Sequence, residues 1–380
     1  MPRTARYAWK DDVFVKKLLI LGLKIGLPLA IIFWLWQDAL RKSASSGLID
    51  GPKNWGVLLL ACFLCAAAPV ITFVRWYWLV GALGIPFRLR DAFRIGFLGY
   101  LFNLAPMGVV GGDFLKAWLL AKETVGVEGC RTKALASVFF DRIIGLFTLF
   151  LVASAAILVT GFWNDSSLQV RAASRITLGT TLVGAIFFLA GFLPALTEGP
   201  LGRRLREVPK LGSSFGHALD SLAMYRNRPG LVVGACLMSF GVHASFVLGM
   251  YALARGVYPA TLPQSLGLSA QFVVAPVAAA TTVIPLSMGP FETVLSFLYA
   301  AVSGIEAAQA QGLVVALAYR LVTVLIASIG LVHYLASRGE VSEVLHEVEE
   351  DAESRAPSEV AHCAPPAKRP TENCCGISGP

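Results

Sequence analysis

NLAPMGVVGGDFLK, running from Asn103 to Lys116, sets one Pro, three Gly and two charges in the middle of a long apolar stretch. A shorter echo, PLSMGPFE, spans Pro285 to Glu292. In both places a Pro is followed seven positions later by a carboxylate, Pro106 by Asp113 and Pro285 by Glu292. An Arg in apolar sequence then follows, Arg142 at 29 residues beyond Asp113 and Arg320 at 28 beyond Glu292. Interrupted hydrophobic segments at corresponding positions of two halves point to the binding site of a transporter built from internal repeats.

Composition sets the class. Hydrophobic residues make up 56% of the chain and charged residues only 15%, with a mean hydropathy of +0.67. Such a chain is an integral membrane protein. Six stretches reach the roughly 20 residues that cross a bilayer: Leu18 to Trp36, Trp55 to Val74, Ala134 to Thr160, Thr177 to Leu196, Leu231 to Ala254 and Gly312 to Ala336. Two more, Ala92 to Ala121 and Leu266 to Ser303, are long but broken in the middle. Each reads as a pair of short helices meeting at a Gly/Pro break, because irregular backbone at membrane depth survives only inside protein or beside a wet cavity. The alternative, a complete crossing by Leu266 to Ile284, stays open. The first segment is too long for a signal-peptide core and ends in Trp34, Trp36 and Asp38 rather than in small residues.

The expected fold is therefore all-α and polytopic: about six transmembrane helices plus two re-entrant helical hairpins, arranged as an inverted repeat. Repeat 1 covers about 18–160 and repeat 2 about 177–336, within a membrane domain of 1–337. Each half holds three spans and one hairpin, and an odd number of spans turns the second half upside down. Residues 338–380 read as an acidic helix followed by a Pro-rich disordered tail, too short to bury a core of its own.

Basic residues orient the chain. With six spans, 22 of the 32 Lys and Arg fall in loops and termini on one side and five on the other. The richer side is expected to be cytoplasmic, and to hold both termini. The net charge of +8 then reflects loops facing anionic headgroups, and no aromatic-interleaved basic stripe suggests nucleic acid. Cys62 and Cys65 have CxxC spacing without a second pair, so neither a metal, a redox role nor a cofactor is expected.

Asp113, Lys116, Asp141, Arg142, Glu292 and Arg320 are ionisable groups in apolar sequence. Each could cost on the order of 3 kcal/mol at a helix centre unless it finds a partner or a wet cavity. Asp113 and Lys116 share a helix face, whereas the adjacent Asp141 and Arg142 address different neighbours. Two readings are compatible: buried ion pairs that pin the hairpins, and a polar site for a headgroup. His243, alone in a span, reads as a hydrogen-bonded packing residue.

These residues resemble a known family. The Asn103 to Lys116 motif, FFDRIIG at Phe139 to Gly145, the Arg75-Trp76 pair, and PLSMGPFE with Ala318-Tyr319-Arg320 look like the flippase-like transmembrane region of lysylphosphatidylglycerol synthases, over about residues 10 to 337. One departure is Gly145, where that family usually carries an acid. The resemblance implies a prokaryotic plasma-membrane protein that moves a phospholipid or lipid-linked substrate between leaflets, without the soluble synthase domain; a homo-oligomer is compatible with it. The substrate-binding residues so implied are Asn103, Pro106, Gly108, Gly111, Gly112, Asp113, Lys116, Asp141, Arg142, Pro285, Gly289, Glu292, Tyr319 and Arg320. A membrane-embedded enzyme on a lipid-linked substrate and a non-transporting scaffold are the alternatives. The charge asymmetry makes a direct test: single cysteines replacing Arg204 and Ser166 should be labelled from opposite faces of the membrane, the former from the cytoplasm. Labelling of both from one face would contradict this orientation.

Overall fold

The computed structural model describes residues 37, 53–104, 111–124, 129–194, 199–207, 220, 223–258, 266–283 and 289–336, all within the unit Met1–Arg338. The expected first span at Leu18 to Trp36, the break residues Pro106, Gly108 and Pro285, and the tail 338–380 lie outside them.

Ten α-helices and no strand occur among the described residues: α1 Trp55–Ala82, α2 Leu89–Leu104, α3 Gly112–Glu123, α4 Cys130–Thr160, α5 Leu168–Gly191, α6 Pro200–Arg206, α7 Pro229–Val257, α8 Leu268–Ala279, α9 Pro290–Ser303 and α10 Ala308–Ala336. The fold is all-α. Five helices, α1, α4, α5, α7 and α10, are long and apolar enough to cross a membrane. Their outer faces carry large apolar side chains with nothing packed on them, such as Leu59, Phe63, Val159 and Val183, each more than 65% exposed. That pattern suits a lipid surround.

Between the long helices sit short ones. At 1.5 Å per residue, α2 and α3 measure about 24 and 18 Å, less than the roughly 30 Å of a hydrocarbon core. The same holds for α8, which tightens at its end into a 3-10 turn, Ala280–Val283, and for α9. The order long, short, short, long thus occurs twice, in α1 to α4 and in α7 to α10.

Packing between the two sets is reciprocal: α4 lies on α8 and α10 on α2, while α1 and α7 share the most extensive contact. Small residues make the α1/α7 seam, where a Cβ on Gly249 would stand 2.5 Å from the Cys65 sulfur and one on Gly256 2.7 Å from Leu58. With no water to expel, apolar helices gain mainly by close backbone approach, which small residues allow. The seam is closed at one end by caps: the Asn54 side chain accepts the Val57 N–H, and the Lys53 ammonium donates to the last-turn carbonyl of Val257 at 3.1 Å.

Several boundaries differ from expectation in one direction: the helices are longer. α1 runs to Ala82 rather than Val74, which carries Arg75 out of the basic loop to which its charge assigned it and into the protein, where it is 3% exposed. α5 is shifted as well as lengthened, running from Leu168 to Gly191 rather than from Thr177 to Leu196, and polar Ser174 near its start is buried rather than left outside.

The closest backbone approach positions the first break. A Cβ on Gly112, at the start of α3, would lie 1.9 Å from the Gly99 carbonyl oxygen of α2, and one on Gly99 would meet the Lys116 side chain at 2.5 Å. Gly112→Ala should therefore destabilise the protein by about 3 kcal/mol, since the obstacle is backbone and cannot rotate away. Gly179→Ala on α5, where nothing lies within 4 Å, should leave the melting temperature in detergent unchanged or slightly raised. Equal melting of the two variants would contradict the contact.

Candidate functional site

Both breaks lead into a short helix whose first turn presents a carboxylate. Asp113 is the second residue of α3 and Glu292 the third of α9. Carboxylates suit this place because the first N–H groups of a helix are unpaired and carry partial positive charge. Glu292 uses it directly, its Oε2 accepting the Gly289 N–H at 2.8 Å. Gly289 has φ 110°, a conformation that disfavours any side chain, and Pro290 starts the helix with its φ already set.

The partner of each carboxylate is an arginine from the next long helix. Arg142 Nη2 donates to Asp113 Oδ1 at 2.6 Å; Arg320 donates to Glu292 Oε1 through Nε at 2.8 Å and Nη2 at 2.5 Å. Arg142 is the thirteenth residue of α4 and Arg320 the thirteenth of α10. Each lies about 18 Å into its helix. The spacing noticed in the sequence is thus an ion pair in space, made twice.

The two pairs differ in surroundings. Asp113 has three partners: Arg142, Asn103, whose amide donates at 3.4 Å, and the Lys116 ammonium at 3.8 Å. Its side chain is 34% exposed and that of Arg142 56%. Glu292 is fully buried and the Arg320 side chain 16% exposed. Lys116 itself is buried, 5.7 Å from the Phe73 ring centre and 5.9 Å from that of Trp76, an arrangement that stabilises a cation away from water. Gly111 is the residue before α3, and Tyr319 packs between Phe246 and Phe291 beside the second pair.

Asp141 turns away from Arg142, as their adjacency requires, and meets Arg75. The Arg75 Nε donates to Asp141 Oδ1 at 2.8 Å and its Nη2 to the Asp141 carbonyl at 3.1 Å, while Nη1 reaches the Ser239 hydroxyl. Gly145 provides the room: a Cβ there would sit 3.4 Å from the guanidinium. The Gly145 carbonyl is in turn 2.9 Å from His243 Nε2, which also lies 3.2 Å from the Thr148 hydroxyl, so His243 is a hydrogen-bonded packing residue as expected. No group of three or more His, Cys, Asp or Glu that could hold a metal occurs among the described residues, and Cys62, Cys65, Cys130 and Cys236 are free.

A family model described as the lysylphosphatidylglycerol synthase TM region matches residues 19–330. The chain belongs to that family. No curated protein and no solved structure matches it. The matched range of the lysylphosphatidylglycerol synthase TM region takes in both ion pairs and all fourteen candidate residues, of which Pro106, Gly108 and Pro285 fall outside the described structure.

Arg75 is the member of the charged group not foreseen as a site residue. Its place in the motif-bearing pair Arg75-Trp76 was visible, but its position after the last expected residue of a span made it look like a loop charge. A signal existed: an Arg flanked by Phe73, Trp76 and Trp78 with no second basic residue before Arg88.

The difference in burial has a measurable consequence. Glu292→Gln leaves Arg320 with no counter-charge in a closed site and should lower stability by about 3 kcal/mol or more. Asp113→Asn leaves Arg142 on an open site and Lys116 still over the Phe73 and Trp76 rings, and should lower it by less, on the order of 1 kcal/mol. Melting temperatures in detergent that fall equally would mean the two sites are equally closed.

Proposed function

We propose that this lysylphosphatidylglycerol synthase TM region moves a phospholipid between leaflets, binding its headgroup at the open Asp113–Arg142 site. One observation carries the reading. Arg142 stands about 18 Å along an apolar helix of 31 residues, yet its side chain is 56% exposed. A guanidinium facing hydrocarbon there is strongly disfavoured, so the space beside it is wet or holds an anion. A lipid phosphate is an anion that a membrane supplies, and Arg can meet it through two parallel N–H donors.

Charge balance supports an anionic ligand. Arg75, Lys116, Arg142 and Arg320 face Asp113, Asp141 and Glu292, four positive groups to three negative. The unpaired N–H groups at the start of α3 add to the positive side. Lys116 makes exchange of partners feasible: when Arg142 turns to a phosphate, Asp113 retains a cation 3.8 Å away. The acyl chains would stay among the exposed apolar residues of the long helices while the headgroup crosses.

The wider architecture follows in this reading. Lengths of about 24 and 18 Å for α2 and α3 support a hairpin that enters and leaves by one face, and α8 with α9 supports a second. The twofold long, short, short, long order, the two arginines at matching depth and the reciprocal α4/α8 and α10/α2 packing support two repeats of opposite topology, with both termini cytoplasmic. Each of the three carboxylates is engaged by an arginine, which leaves none poised as a general base and favours transport over enzyme chemistry.

Arg142→Gln keeps length and hydrogen bonding but not charge. In proteoliposomes it should reduce leaflet exchange of a fluorescent anionic phospholipid at least about tenfold, equivalent to 1.4 kcal/mol, while melting stays near the parent's. Exchange at the parent's rate by a folded Arg142→Gln protein would remove the headgroup clamp from the mechanism.

A further inference from the structure

The second ion pair has no reserve. Among the described residues no cation besides Arg320 pairs with Glu292, whereas Asp113 keeps Lys116 beside it. Moving Arg320 away would strand a bare carboxylate in a site with no exposure, and a buried acid in that position neutralises itself by taking a proton. A route for that proton is therefore worth seeking.

Along one face of α9 run Glu292, Ser296, Tyr299 and Ser303, spaced by four, three and four residues and hence aligned on one side of the helix. Glu292, Ser296 and Tyr299 are buried, at 0, 5 and 1% exposure. Across from them, the Ser296 hydroxyl donates to the Gln309 carbonyl at 2.8 Å and the Tyr299 hydroxyl to Gln271 Oε1 at 3.0 Å. Tyr258, the residue after α7, belongs to the same buried cluster as Tyr299. Two polar atoms here have no hydrogen-bond partner among the described residues, the Tyr258 hydroxyl and Gln271 Nε2, although their residues are only 2 and 1% exposed. Buried Tyr225 shows the contrasting dry case, its hydroxyl donating to the Leu79 carbonyl at 2.9 Å. Unpaired atoms on both sides of a polar cluster are the setting in which ordered water is held.

The cluster occupies one end of the bundle, where α7 ends, α8 begins, α9 ends and α10 begins. The geometry points to a water-filled seam that starts between the Tyr258 hydroxyl and the Gln271 amide, follows the polar face of α9, and carries protons between that membrane surface and Glu292. Each water along it accepts one proton and passes on the one it held, and the Tyr299 hydroxyl joins the chain by turning its O–H from Gln271 Oε1 to the next water toward Glu292. The net change is that one hydronium at the surface becomes water and the Glu292 carboxylate becomes a carboxylic acid, which no longer holds Arg320. Gln271 positions water and relays nothing itself. The other titratable groups facing the pair are Tyr100 of α2, Tyr319 of α10 and Cys65 of α1, none of which is an anion at neutral pH. Gln271 of α8, Thr281 and Thr282 of the 3-10 turn and Phe246 of α7 are all uncharged. The arginines of α5, Arg171 and Arg175, are engaged at its start with the carbonyls of Asp165 and Trp163.

The seam deepens the lipid-transport reading by naming the coupling ion, but its first two tests do not need lipid exchange. In the full-length protein in nanodiscs, hydroxyl radicals generated from bound water should label Tyr258 and Tyr299 at least about fivefold faster than Tyr225; equally slow labelling of all three would overturn the seam. Infrared difference spectra across a pH titration should contain a protonated-carboxyl band that Glu292→Gln abolishes, and Tyr299→Phe should slow its hydrogen–deuterium exchange about tenfold. A titration without that band, or exchange unaffected by Tyr299→Phe, would overturn the proton route. If both tests hold and a proton gradient alters lipid exchange in the parent, but not in Tyr299→Phe, the coupling stands; a gradient effect retained in Tyr299→Phe overturns it. If both hold and no lipid moves at all, the transport reading fails and the proton route remains.

Discussion

A carboxylate at the start of a half-length helix, clamped by an arginine at the thirteenth position of the next long helix, is the interaction on which the architecture depends. Neither charge could sit alone among apolar helices. Together they fix where the short helix begins, how deep it stands and which long helix it faces. The glycines serve the same end: Gly112 lets α3 start against the α2 backbone, and Gly289 turns the chain so that Glu292 can hold its own helix start. Because a carboxylate–arginine clamp follows each break, both short helices are held to a long helix by the same chemistry.

The two clamps differ in what surrounds them. The first clamp is open on the arginine side and backed by a lysine held near two aromatic rings. The second is closed, with a single cation and a backbone N–H satisfying the carboxylate. A buried pair resists separation more than an exposed one, so these sites are not interchangeable: one suits exchange of partners with a ligand, the other suits a change that must first remove the charge.

Much of this was legible in the sequence because charges inside apolar stretches are few and each must be accounted for. The all-α class and the long helices followed from hydropathy; the equal spacing marked Asp113, Arg142, Glu292 and Arg320 as a group, and the structure shows which of them pair. The separation of Asp141 from Arg142 followed from the angle between adjacent helical residues. Arg75 was not legible in the same way, since a basic residue at the apparent end of a span is usually a loop charge; only the contact with Asp141, 66 residues away, shows it to be internal. The polar face of α9 was hidden for another reason: Ser, Tyr and Gln are ordinary in membrane helices, and their alignment matters only once their neighbours leave atoms unpaired.

The α1/α7 seam has a mechanical consequence. Glycines of α7 face Cys65, Leu58 and Trp78 of α1 across it, and its end is tied by the Lys53 and Asn54 hydrogen bonds to the last turn of α7. Backbones this close, tied by hydrogen bonds, leave neither long helix room to tilt without the other, so the pair turns as one axle. Arg75 of α1 reaches Ser239 of α7 and Asp141 of α4, so this axle is keyed to a third long helix near the ion pairs rather than running free of them.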